Sequence, residues 1–300
     1  VTRLKTIVII SVFLTLLSCK NRNNASQSDH NIKSAYIETD IDSVNTETIV
    51  DAEPEIVTFD WSINQVLKST LISELQQDSK NIDKHIMKFL DEYSKVEKDF
   101  NDTLFDLSNY DSLNTLAYAP DDIIYENAIE FKNEVESNGF SIAQSEGMIY
   151  IKKSTDFIKS DLAEFLDSTS MDFINLYCQE IDSICCEDAG IIISENLLVE
   201  RALLWGNLLE KSKGLDYKHV AESEFNSYLF LIYSGQDNTP SFDWTTGKFS
   251  KNLFELMNSI VTEYPSSIAS KEFKEYIELL EQSDLKRTDK IDEYLKNLMK

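Results

Sequence analysis

The sequence predicts an all-α protein, an irregular multi-helix bundle in two lobes with one short β-hairpin near residues 140–152. Three observations lead there. After residue 58, apolar residues recur mostly at helical spacing. Glycine is scarce, 7 in 300 residues, which disfavours glycine-lined nucleotide sites and favours long helices. At 140–152 the helical period gives way to alternation. The length suffices for one large or two small cores.

The first element is a leader. Arg3 and Lys5 precede the apolar run Ile7–Leu17, and no acidic residue occurs before Asp29. A run of eleven residues is too short for a membrane span, which needs ~20, and fits the core of a secretion signal. Leu16-Leu17-Ser18-Cys19 then resembles the lipobox of bacterial lipoproteins, with an aliphatic residue at −3, a small residue at −1 and cysteine at +1. The resemblance covers residues 1–19 only. It implies cleavage after Ser18, acylation of Cys19 and a cell-envelope location. Lys20, where an aspartate acts as an inner-membrane retention signal in part of that family, points to the outer membrane. The membrane partner would then be reached through the N-terminal acyl chains.

Residues 19–57 read as an acidic tether. They are rich in Asn, Ser, Thr and Asp, with Tyr36 as the single aromatic. Such a composition buries too little apolar surface to offset ordering entropy. The expected organisation is therefore a signal peptide at 1–18, the tether at 19–57, a helical lobe at 58–139, and the hairpin with a C-terminal bundle at 140–300.

Within the first lobe, Asp60 or Ser62 is expected to cap a helix burying Ile63, Val66, Leu67, Leu71 and Leu75. The seam Ile82, Ile86, Phe89, Tyr93, Val96, Phe100, Leu104 is spaced 4, 3, 4, 3, 4, 4 and is expected to line the bundle interior. After Pro120, Asp121 or Asp122 would cap a helix carrying Ile124, Ala128, Phe131 and Val135, antiparallel to that seam and ended by Asn138-Gly139.

The second lobe begins with FSIAQSEGMIYIK, alternating on both sides of Ser145-Glu146-Gly147. Further helices are expected over 157–166, capped near Ser154. Another runs from Ser170 to a stop at Gly190, with Cys178 and Cys185 on its apolar stripe. A third spans 195–213, capped by Ser194, followed by the nearly all-apolar Phe225–Tyr233, then helices at 249–264, 273–280 and 291–298. Helix starts show no fixed period near 34 or 40 residues, so a repeat solenoid is not expected.

The formal net charge is −25, and removing residues 1–18 makes it two units more negative. Phosphate backbones repel such a chain, so nucleic acid is not an expected partner. Fifty-three carboxylates make no single pair informative, and no GxSxG, HExxH, P-loop or dinucleotide fingerprint occurs. No cofactor is implied.

Three groups of residues can carry chemistry. Asp216, His219 and Glu222, at i, i+3 and i+6, form a weak metal-ligand candidate. Cys186 lies beside Glu187 and Asp188, an acidic setting expected to raise its thiol pKa. The loop 235–246 offers Asp237, Asn238, Asp243 and Trp244 as ligand-binding residues, since amide and carboxylate groups beside an indole suit a sugar. The alternative is that the turn residues shape the loop and Phe242 and Trp244 fold it onto the core. The expected function is a lipid-anchored envelope lipoprotein with a non-enzymatic binding role, its partner an envelope protein or a glycan. The rivals are an envelope hydrolase using carboxylates near that loop, and a metal or haem carrier.

Overall fold

The computed structural model describes residues 59–117 and 126–298. The leader, Cys19 and the 20–57 stretch lie outside them, as do Pro120, Asp121, Asp122 and Ile124. The described part is an irregular helical bundle with small antiparallel hairpins, the expected class, and Ala52–Lys300 form one unit.

The first segment comprises α1 (Ser62–Gln77), α2 (Ile82–Phe105), α3 (Tyr110–Leu113), a 3₁₀ turn at Asn114–Ala117 and α4 (Glu126–Ser137). Residues 86, 89, 93, 96, 100 and 104 of α2 are all buried, so the seam is internal. Helix α4 buries Ala128, Phe131 and Val135 as expected, but packs chiefly on the hairpin strand that follows it. Phe59 fills the space between the helices instead, stacking against both Phe100 of α2 and Phe131 of α4.

Helix α1 faces the core differently from its expected stripe. Leu71 and Leu75 are buried, but Ile63 and Val66 are 41 % and 59 % exposed while Asn64 and Lys68 are buried. The cause is hydrogen bonding to distant backbone. Asn64 Nδ2 donates to Asn138 O at 2.7 Å, and Lys68 Nζ donates to Phe157 O and Ile158 O at 2.7 and 3.1 Å. The lysine stem fills apolar space while its ammonium satisfies carbonyls at the end of a short helix. Burial lowers the Lys68 pKa to about 8.

Strands β1 (Phe140–Ser145) and β2 (Met148–Lys153) form the expected hairpin. Glu146 (φ 52°) and Gly147 (φ 78°) both adopt positive φ, as a tight two-residue hairpin turn requires. An isolated hairpin is only marginally stable, and its outer edge leaves backbone groups unpaired. Side chains from the first segment complete that edge. Asn101 of α2 exchanges two hydrogen bonds with Ile151, at 2.7 and 2.8 Å. Glu97 accepts from Lys153 N at 2.8 Å, Asn114 accepts from Ile149 N at 2.8 Å, and Tyr110 donates to Ile149 O at 3.0 Å. The fully buried Tyr93 donates to Gly139 O, closing the same corner.

Downstream are α5 (Thr155–Lys159), α6 (Ser168–Asp182), β3 (Cys186–Glu187), β4 (Gly190–Ile191), α7 (Glu195–Lys211) and α8 (Lys218–Ser234). Then come β5 (Gly235–Gln236), β6 (Thr239–Pro240), α9 (Lys251–Glu263), α10 (Ile268–Gln282) and α11 (Asp289–Leu298). Ser154 and Ser194 cap α5 and α7 as expected, accepting from Phe157 N and Leu197 N at 3.3 Å. Helix α5 stops after five residues rather than reaching Leu166, because Asp161 takes φ 60°. Helix α6 is capped by Asp167, not Ser170, and ends at Asp182, well short of Gly190. Cys185 therefore lies beyond the helix. Two further hairpins, β3–β4 and β5–β6, join the expected one. Helix α8 packs most extensively on α7 and buries Phe225, Tyr228, Leu229, Ile232 and Tyr233.

Gly235 ends α8 at φ 71°, where a Cβ would lie 2.4 Å from both Ser241 N and Thr239 O. Both obstacles are backbone. Gly235→Ala is therefore expected to destabilise the fold by about 2–4 kcal/mol, measured by chemical denaturation.

Candidate functional site

The loop 235–246 is two devices. Its first part is the β5–β6 hairpin, with Asp237 and Asn238 at the turn. Its second part is a turn built on Asp243. The Asp243 carboxylate accepts from Thr245 N, Thr246 N and Thr246 Oγ1 at 3.1, 2.7 and 2.7 Å, which holds its pKa below the usual value. Gly247 N donates to Asp243 O, and Arg287 N to Gly247 O, at 2.8 and 3.0 Å. All three bonds fall on Oδ1, so that oxygen of Asp243 is committed to the turn. Phe242 is buried and stacks edge-on against Phe249. Trp244 does not fold inward with it: the indole is 75 % exposed. An aromatic side chain displayed on a backbone with fixed hydrogen bonds is a ready contact point.

Asn238 has a different task. Its Nδ2 donates to Asp188 O at 2.5 Å and its N to Ala189 O at 2.9 Å, while Thr239 Oγ1 accepts from Ile191 N at 2.6 Å. The β5–β6 hairpin therefore docks on β3–β4. On the other side, Ser145 Oγ donates to Glu187 Oε1 at 2.9 Å. The turns of all three hairpins are linked in one continuous run of contacts. Asp237 is exposed at the tip of this run.

Next to β3 lies the most heavily committed carboxylate of the helical core. Glu180 of α6 accepts from Arg201 Nη1 and Tyr228 OH on one oxygen, at 2.9 and 2.6 Å, and from Trp205 Nε1 on the other, at 2.9 Å. Arg201 is 0 % exposed, and its Nε and Nη2 have no hydrogen-bond partner among the described residues. A buried guanidinium needs its counter-ion, since unpaired charge is costly in a medium of low polarity. Glu224 of α8 sits within reach of the same field. Burial, and secondarily the charge of Glu180, raise its pKa to about 7.

The β3 hairpin places Cys185 Sγ and Cys186 Sγ 3.3 Å apart. The acidic setting expected to raise the Cys186 pKa does not decide it. Its hydrogen bond with Cys185 lowers it, against burial and Glu180, while Cys185 itself is raised by that pairing. Cys178 is fully buried in α6, and burial pushes its thiol up to about 12. No sequence signal beyond adjacency marked the Cys185–Cys186 pair, and the expected helix through residue 190 would have splayed their side chains apart.

Asp216, His219 and Glu222 are not brought together as ligands. Asp216 precedes α8, and its backbone N donates to Asp83 at 2.7 Å. His219 Nδ1 lies 2.7 Å from Asp216 O, and Glu222 pairs with Lys218 at 3.7 Å. Among the described residues, no group of three or more His, Cys, Asp or Glu side chains is arranged to hold a metal ion. Shallow grooves occur among the described residues. One of about 530 Å³ is lined by Gly139, Phe140, Ser154 and Phe157, and one of about 390 Å³ by Leu176, Gln179, Leu204 and Lys211. Neither includes residues 235–246. No family model, curated protein or solved structure matches this chain.

Two outcomes follow from the buried cluster. Glu180→Ala, which strands the Arg201 cation, is expected to cost about 3–5 kcal/mol in denaturant unfolding, with much of the loss recovered on adding Arg201→Met. Glu224 has a raised folded-state pKa, so its stabilising contribution is present below about pH 4.5 and is lost as pH rises through about 7. Glu224→Gln should flatten that decline and be more stable than the parent at pH 8.

Proposed function

We propose that this chain is a lipid-anchored cell-envelope protein with a non-enzymatic binding role, and that Trp244 is its principal contact. The observation that carries the binding role is the exposed indole on the Asp243 turn. The address is supported by the leader, in which charge order, length of the apolar run and placement of Cys19 agree. Acyl chains would tether the body, since each buried CH₂ contributes about 0.8 kcal/mol and a chain this acidic gains nothing from anionic headgroups.

The charge favours one kind of partner. A net −25 attracts a protein with a basic contact face and steers its approach, and an aromatic anchor amid a polar rim is the common form of such contacts. A neutral glycan stacking on the indole is the second reading, favoured by the flat exposed ring itself.

Feeding cells an alkyne-bearing fatty acid is expected to label the full chain and not Cys19→Ala, with the label on a peptide that begins at Cys19. An unlabelled, uncleaved chain in the cytosol would overturn the address. Trp61 and Trp205 are buried, so Trp244 should dominate emission accessible to iodide. Added partner or glycan should shield that emission, and Trp244→Ala should weaken binding at least tenfold without lowering stability. Unchanged affinity in that variant would remove Trp244 from the role.

A further inference from the structure

We propose that Cys185 and Cys186 are a redox site, closing to a disulfide between neighbouring residues by exchange with a disulfide-bearing partner and reopening under thiol reductant. The geometry is the basis. The Sγ atoms are 3.3 Å apart, already in contact, against the ~2.05 Å of a closed disulfide. The backbone of both residues is already held. Cys186 pairs with Ile191 in the β3–β4 ladder, and Ile192 N donates to Cys185 O at 2.9 Å. Both cysteines are only half-buried, whereas Cys178 is sealed in the core.

The exchange balances as follows. The Cys186 thiolate attacks one sulfur of the partner disulfide, forming a mixed disulfide and expelling one partner thiolate. Cys185 then attacks Cys186 Sγ, expelling the second. Two electrons pass to the partner disulfide, and the protons of the two cysteines end on the two released thiols. The hydrogen bond shared with Cys185, which lowers the Cys186 pKa, favours Cys186 as the first nucleophile. Consecutive α-carbons across a trans peptide stand ~3.8 Å apart, closer than the usual disulfide range of ~4.4–6.8 Å, so the ring is strained and readily reduced. This site does not depend on the anchor or on Trp244.

The test treats the full chain with oxidised glutathione, quenches in acid, and alkylates in denaturant with N-ethylmaleimide. Cleavage at Glu180 and Asp182 separates Cys178 from the pair. The expected fragment holding Cys185 and Cys186 is lighter by two hydrogens and carries no alkyl group. Reduced glutathione should restore two alkylatable thiols. Cys178→Ser should form the ring to the same extent. Full alkylation of both residues after oxidation, a cross-link from either to Cys178, or a ring that persists in excess reduced glutathione would overturn the proposal.

Discussion

Helices α6, α7 and α8 are joined through one carboxylate. Glu180 projects from α6 and takes donors from two different helices, Arg201 and Trp205 from α7 and Tyr228 from α8. Each donor is a large side chain that apolar packing alone could place in several ways. A half-buried carboxylate that takes a donor from each of the three restricts how they can pack, because displacing it would strand the buried Arg201 cation. The register of α7 against α8, the most extensive helix contact in the molecule, is tied to that arrangement. The charge of Glu180 adds to burial in raising the Glu224 pKa, and Glu180 and Arg201 act in opposite senses on the two neighbouring thiols.

The hairpins pose a different physical problem. Short strands expose unpaired backbone, and a bundle has no sheet to absorb it. Here side chains stand in for the missing strand. Asn101 imitates a peptide group toward Ile151, Glu97 and Asn114 accept from alternate amides, and Tyr110 supplies a donor. The same device recurs where Asn238 and Thr239 serve β3–β4. Amide and hydroxyl side chains at these positions are structural in the strict sense that they replace main-chain partners.

Local signals were legible in the sequence, and long-range ones were not. The seam of α2, the alternation around Glu146-Gly147, and the caps at Ser154 and Ser194 each reside within a few residues and were readable as such. The inner face of α1 was not, because Asn64 and Lys68 are buried by acceptors 74 to 90 residues away. Residues 186–191 and 235–240 escaped because two-residue strands have no period to detect. At the candidate site, Phe242 and Trp244 were indistinguishable by spacing. The side chain that turns inward has Phe249 to stack on, and the other is carried outward by the Asp243 turn. The thiol pair was hidden for a related reason, since the apolar stripe of α6 continues past the point where Ser183 leaves the helix.

The tip of β3–β4 is made of Asp188 and Ala189, both at positive φ (46° and 53°), a conformation that costs a residue bearing a Cβ roughly 1–2 kcal/mol. The hairpin's own ladder is only two residue pairs long. The compensating hydrogen bonds come from Asn238, which is reached only after the whole of α7 and α8. The consequence is an order of assembly. The tip gains those two bonds only once α7 and α8 have brought Asn238 back beside it. Cys185 and Cys186, at the base of this hairpin, are thereby tied to the packing of helices that follow them in the chain.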